Sequence, residues 1–476
     1  MKRIVANSTL AVVVLLLAAC ATNPVTGRRQ LALVTEAQEI QMGQEAARAV
    51  ARQMGLYQDA ELQAYVNRVG QEMARRSERP EIPWSFQIVD DPMVNAFALP
   101  GGPVFVTRGI LAHFNSEAEL ASVLGHEIGH ITARHAVEQI SQAQLANLGV
   151  GLAMILSPEL AQFGDLASLG LQLLFMKFGR DDERQADDLG LRYMNTAGWD
   201  PREMPPVFGV ISEISRAQGG GRVPEWASTH PDPANRAERL WEQIEELPAP
   251  AGVVAAAEYK QRLDGMMFGT NPREGYTIGS TFIHPELRFR MTFPQGWQIQ
   301  NGREMVIAVS PNEDAAVGLS LGRGNSAQQA AQNFFGQQGI QADAQLRQGI
   351  YTFRTGQTQQ GFAYRGVAGF VEHSGQVLQI VGYTPAPRFD RYANLLASSV
   401  ASFERETNPR YLNVQPKRIE VVRVPRRMTI QEFARAYPST VHLNTLAIAN
   451  GAIREDFVFE AGDFGKRIVG GDVPSR

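Results

Sequence analysis

Cysteine is nearly absent. Cys20 is the only one in 476 residues, so no disulfide can close within the chain, and any stapling must come from packing or a metal. A charge excess of either sign is missing as well: 45 basic residues face 49 acidic ones, a formal net charge of −4. That balance supplies no field for nucleic acid or for an anionic membrane as the main partner. Long apolar runs are also lacking. Residues 145–178 are markedly apolar, yet Pro158, Glu159, Gly164 and Asp165 interrupt them before the roughly eighteen apolar residues a membrane span needs. Two buried helices, a hairpin over a cleft, fit this stretch better. There is no obvious internal repeat, and the glutamine-rich region 328–360 is not low-complexity.

The chain is too long for one ordinary core, and with 44% hydrophobic and 20% charged residues it reads as two or three globular domains. The fold class expected is α+β and multidomain. At the amino end, Lys2 and Arg3 precede an apolar run, Leu10 to Ala19, laid out as a secretory signal. The run closes on Leu17-Ala18-Ala19-Cys20, which resembles a bacterial lipobox, so residues 1–20 are expected to be a signal peptide with Cys20 as the lipidated residue. An anchor of this kind fits the need for more than one acyl chain for stable membrane attachment. Ala21, in place of an aspartate, resembles proteins sent on to the outer membrane, and residues 21–34 are expected to be a tether.

Thr35 with Gln38 and Glu39 forms a capping-box pattern that opens a helix ending near Gly55. A second helix is expected from Asp59 to Arg76. Trp84 to Ile88 alternates at period two and reads as a strand, and Val94 to Leu99 and Val104 to Arg108 are two further extended pieces, joined by the turn Pro100-Gly101-Gly102-Pro103. Ser116 with Glu119 caps a helix expected to run to about Ile140, and another helix spans Asp181 to Gly198. Gln218 to Gly221 is a flexible loop leading to His230. Composition shifts near Pro248-Ala249-Pro250. Residues 270–405 read as an α+β accessory domain with an antiparallel sheet, and residues 415–476 as a small separate α/β module.

The chemistry concentrates in His126-Glu127-Ile128-Gly129-His130. Histidines four apart on a helix project from one face, the spacing at which two imidazoles bind one tetrahedral zinc ion. Glu127 is turned about 100° away and is placed to serve as general base toward a metal-activated water. With 8 histidines and 49 acidic residues in 476, chance yields on the order of 0.01 matches to H-E-x-x-H. A third ligand is needed. The longer pattern ending in a third histidine fails, because Ala133 and Ala136 occupy its glycine and histidine positions. His135 is one residue off register and is expected to face elsewhere. Glu183, with Asp187 one turn on, offers a carboxylate, although such a pair alone also describes a solvated acidic face. Asp187 is spaced to receive the outer N–H of a metal-bound histidine.

The run Asn95 to Gly102, then Val104 to Gly109, then the histidine motif, then Glu183 to Asp187, resembles the HtpX and CAAX-prenyl-protease family of zinc metallopeptidases, in particular its periplasmic BepA-like and LoiP-like members. The resemblance spans about residues 30–245. It implies a mainly helical zincin-type metalloprotease domain with a small sheet over residues 35–250, one zinc ion, and Glu183 as third ligand. It also implies that Gly101, Gly102, Val104 and Phe105 form a sheet edge where an extended substrate pairs. Thr229-His230-Pro231 resembles the family's histidine beside the zinc, which either stabilises the oxyanion or fills the open metal position in a latent state. Arg236 resembles a cationic partner near the site. The implied role is hydrolysis of unfolded or misassembled envelope proteins on the periplasmic side of the outer membrane. Residues after 250 lack the helical repeats of BepA. The last unit, with Thr429-Ile430, Glu432-Phe433-Ala434, Tyr437, Leu446 to Asn450 and Lys466-Arg467-Ile468, resembles a degenerate LysM module, which implies binding to peptidoglycan.

Overall fold

A computed structural model of the chain describes residues 20–151, 177–217, 225–230, 233–247, 251–356 and 363–474. The leader, most of the apolar stretch, the Gln218–Gly221 loop, Pro231 and Pro248–Pro250 lie outside the described residues. The fold is α+β and divides into two compact units. Residues up to Gly269 join Arg418–Val469 in the first, and Thr270–Lys417 with the last residues form the second. The small module expected over 415–476 is therefore not a unit apart.

In the first unit, strands β1 (Cys20–Thr22) and β2 (Arg29–Leu31) pair antiparallel, where a tether was expected. Asn23, in the turn between them, is buried, and its Nδ2 donates to the Ala133 carbonyl at 3.1 Å. The capping box of Thr35 and Gln38 forms at the head of helix α1 (Glu36–Gln53). Asp59 accepts from the Leu62 amide to open α2 (Ala60–Ala74), which buries Leu62, Tyr65, Val66 and Val69 on the 3.6-residue period of an amphipathic face. That face packs on a sheet of β3 (Ser85–Val89), β4 (Ala96–Ala98) and β5 (Pro103–Thr107).

The sheet order is β3-β5-β4, which corrects the expected substrate edge. Val104 pairs with both Phe86 and Ala98, and Phe105 with both Gln87 and Phe97, so β5 is the central strand and is buried throughout. The two glycines serve the chain's own packing. A Cβ on Gly101 would fall 2.5 Å from Ile40 Cα, and one on Gly102 2.7 Å from the Pro83 carbonyl oxygen. Neither glycine leaves room for another chain. On this side of the sheet the outer strand is β4.

Six further helices complete what positions the site: α3 (Glu117–Thr132), α4 (His135–Gly151), α5 (Arg180–Thr196), α6 (Met204–Ala217), α7 (Glu225–Thr229) and α8 (Pro233–Glu245). None of the described helices is long and apolar enough to cross a membrane. The core gathers Val69, Phe86, Ile110, Leu124 and Ile211.

The second unit holds a seven-stranded antiparallel sheet. Its order is Gln298–Asn301, Met305–Val309, Ala316–Leu321, Gln376–Pro385, Tyr364–His373, Ile350–Thr355, Ile340–Arg347. Helices Ala327–Phe335 and Phe389–Ala401 pack on it, over a core that includes Phe289, Val317, Ile380 and Leu396. This is the accessory architecture expected from the strand-rich sequence.

Strands Lys417–Arg423 and Phe464–Gly470 return to the first unit and pair there in a sheet with Met267–Phe268. Lys466 is fully buried, and its Nζ donates to the carbonyls of Ala112 at 2.9 Å and Phe114 at 2.7 Å. Both carbonyls lie just before Ser116, the cap of α3. Replacing Lys466 with methionine leaves two buried acceptors unpaired, and we expect a loss of about 1–3 kcal/mol. Urea denaturation of the full chain measures it, and an unchanged midpoint would show that these bonds carry no stability.

Candidate metal centre

Helix α3 starts on Ser116, whose Oγ accepts from the Glu119 amide at 3.1 Å, and every residue of the helix is buried. It runs against α5 with almost no side chain between the backbones. A Cβ on Gly125 would lie 3.0 Å from the Gly190 oxygen, one on Gly129 2.9 Å from the Ala186 oxygen, and one on Gly190 2.8 Å from the His126 nitrogen. Only glycine allows that approach without displacing backbone. The contact brings the first turn of α5 level with the histidine motif.

His126 and His130 aim their Nε2 atoms at one point, 3.0 Å apart. Glu183 joins them, with Oε2 3.5 Å from His126 Nε2 and Oε1 3.4 Å from His130 Nε2. From the end of α7, His230 places Nδ1 3.2 Å from His126 Nε2 and 2.8 Å from Glu183 Oε1. The four ligand atoms lie within 4.8 Å of one another, and all four residues are buried. Bonds of about 2.0–2.1 Å to a tetrahedral zinc ion put neighbouring ligand atoms roughly 3.3 Å apart. The observed separations cluster around that value, so the donor set fits such an ion.

Asp187 Oδ1 accepts from His126 Nδ1 at 3.0 Å, which leaves the His126 Nε2 lone pair facing the site. Burial would raise the Asp187 carboxyl, but the Arg236 guanidinium outweighs it and holds it down to about 2. Arg236, on α8, binds Asp187 through Nε at 2.8 Å and a terminal nitrogen at 2.6 Å, and approaches Glu183 Oε2 to 2.7 Å. Burial lowers His126 to about 3, and a neutral imidazole is the metal-binding form. Glu127 is pushed up to about 7 by burial, against the pull of His130. Its Oε1 is buried with no hydrogen-bond partner, 3.6 Å from His230 Nε2.

Apolar walls close the site. The Phe178 ring stacks on His130 with centroids 4.1 Å apart, and Trp226 stands 4.9 Å from His230. Between β4 and His130, a cavity touching Ala98, Leu99 and Phe178 has a volume of about 10 Å³, the space of one water molecule.

The structure thus brings together His126, Glu127, His130, Glu183, Asp187, His230 and Arg236. It does not bring Gly101, Gly102, Val104 or Phe105 to the site as an open edge. His135, expected to face elsewhere, is buried with Nδ1 2.9 Å from His130 Nδ1. The expected helix to Ile140 breaks instead. α3 stops at Thr132, Arg134 takes a φ of 60°, and α4 begins at His135. No periodic signal marks this break, because every residue from Ile131 to Val137 is compatible with a continuous helix.

Residues 60–244 match Peptidase family M48. Over 160 residues the chain is 37% identical to the mitochondrial metalloendopeptidase OMA1 of Arabidopsis thaliana, covering 33% of this chain and 31% of that one. It is 31% identical over 207 residues to the beta-barrel assembly-enhancing protease of Yersinia pestis, 42% of each chain. It is 34% identical over 233 residues to the mitochondrial metalloendopeptidase OMA1 of Schizosaccharomyces pombe, 47% of this chain and 66% of that one. The chain thus spans under two thirds of the length of each of these relatives.

If the glycine contact sets the centre, Gly190→Val must push α5 off α3. We expect about 1–3 kcal/mol of destabilisation and loss of tight zinc binding, read by calorimetric titration of the folded variant. Wild-type affinity would contradict the role given to the contact.

Proposed function

Because residues 60–244 are a Peptidase family M48 domain, we propose that the chain is a zinc-dependent endopeptidase that cuts extended or unfolded segments of cell-envelope proteins. The observation that carries this reading is the four-atom cage of His126, His130, Glu183 and His230 beside the orphaned Glu127 oxygen. His126, His130 and Glu183 hold the metal. Zinc, when bound, lowers the pKa of a water it holds toward 7 and polarises a peptide carbonyl. Glu127 takes the proton of the attacking water at its unpartnered Oε1 and delivers it to the leaving amine. Asp187 keeps the proton of His126 on Nδ1, and Arg236 keeps Asp187 ionised. Substrate would add to β4, since Ala98 borders the cavity at His130 and an outer strand offers free backbone groups.

The relative named as a beta-barrel assembly-enhancing protease supports envelope proteins as the substrate class. Cys20 as lipid anchor places the enzyme on the periplasmic side of the outer membrane in this reading. A latent resting state is a second part of it, favoured by one observation: His230 supplies the fourth vertex of the cage, where a water or substrate oxygen has to bind.

Cleavage of an unfolded protein such as reduced casein tests the proposal. Glu127→Gln should lower the rate by about 10²–10⁴-fold while keeping the metal. His230→Ala should raise the rate if the histidine is a latch, and lower it if it stabilises the oxyanion. Absence of metal-dependent cleavage from both wild type and His230→Ala would overturn the enzyme reading.

A further inference from the structure

The two histidines of the centre have unlike outer partners. His126 donates to the carboxylate of Asp187, the usual arrangement for a metal-bound imidazole. His130 has no carboxylate on its outer nitrogen. Its Nδ1 faces Nδ1 of His135 at 2.9 Å, and Nε2 of His135 lies 3.0 Å from Gln185 Oε1.

The proton positions follow from these contacts. With Nε2 of His130 turned toward the cage, its proton sits on Nδ1, so Nδ1 of His135 accepts. His135 then carries its own proton on Nε2 and donates it to the Gln185 carbonyl oxygen. Each bond has one donor and one acceptor; the Gln185 amide oxygen is the near acceptor at 3.0 Å, and the Asp182 carboxylate stands 3.8 Å from the same nitrogen.

On an unbroken helix His135 could not make this contact. Five residues at about 100° each turn it about 140° away from His130. The left-handed φ of Arg134 swings it back, a conformation uncommon outside glycine. A buried ion network holds that turn. Arg134 Nε meets Glu39 Oε2 at 2.9 Å, and a terminal nitrogen of Arg134 donates to the Val34 carbonyl at 3.2 Å. Glu39 is also gripped by Arg79 at 2.7 Å, and Arg79 donates to the Ile131 carbonyl at 3.0 Å, at the end of α3. Helix α1 is thereby tied to the second metal ligand through Glu39, Arg134 and His135.

We propose that His135 is a positioning residue for the metal: it fixes the tautomer and ring angle of His130, and the Glu39–Arg134 pair fixes His135. The inference rests on the metal-site reading above.

Zinc affinity of the full chain, measured by chelator competition, tests it. His135→Ala should weaken zinc binding by about 10–100-fold with the circular dichroism of the metal-free protein unchanged. His135→Asn, whose Oδ1 can accept in place of Nδ1, should restore most of that loss. Equal losses in both variants would mark His135 as packing only, and wild-type affinity in His135→Ala would likewise overturn the proposal. If His135→Ala fails to fold, nitrogen NMR of histidine-labelled, zinc-loaded wild type decides. His135 with its proton on Nε2 supports the relay, and a proton on Nδ1 refutes it. A wild type that binds no zinc would overturn the metal site itself, a failure distinct from the others.

Discussion

The molecule depends on two helix backbones touching. Gly125, Gly129 and Gly190 let α3 and α5 meet with nothing between them, and that contact decides where Glu183 and Asp187 stand relative to His126 and His130. A side chain there would force the facing backbone to give way, and a metal bond tolerates a shift of only about 0.2 Å. The glycines are thus part of the centre, although none of them touches a ligand atom.

Once the helices are in contact, the charges have to be settled in a dry place. Unpaired buried charges are costly, and paired ones persist only where geometry and hydrogen bonds satisfy them. Here Arg236 spans Asp187 and Glu183, and Glu39 is shared by Arg79 and Arg134. The first network sets the charge of the carboxylates at the metal. The second fixes the shape of the chain just past the metal helix. His130 reaches its nearest carboxylate, Asp182, only through His135, whereas His126 donates to Asp187 directly, so the two metal histidines differ in how strongly their outer partners push electron density inward.

Local patterns made much of this legible in the sequence. His126 and His130 one turn apart, Ser116 as cap, and the Glu183–Asp187 spacing are all read from a single helical period. What stayed hidden depends on distant partners. The left-handed turn at Arg134 is set by Glu39, 95 residues away, so the sequence suggested a continuous helix with His135 facing outward. The apolar run Val104 to Val106 marks β5 as extended but carries no information on its neighbours, and the edge that the family resemblance implies there is a central strand. The buried Lys466, bound to carbonyls before α3, likewise joins Arg418–Val469 to the unit that ends at Gly269, a link that the composition break near Pro248 does not reveal.

Glu183 is the residue on which the account is most exposed, because it alone turns two helices into one metal site. Elemental analysis of the purified chain against Glu183→Ala is the direct measurement. The account predicts one zinc ion per wild-type chain and a clear deficit in the variant under the same dialysis. Full zinc retention by Glu183→Ala would contradict it.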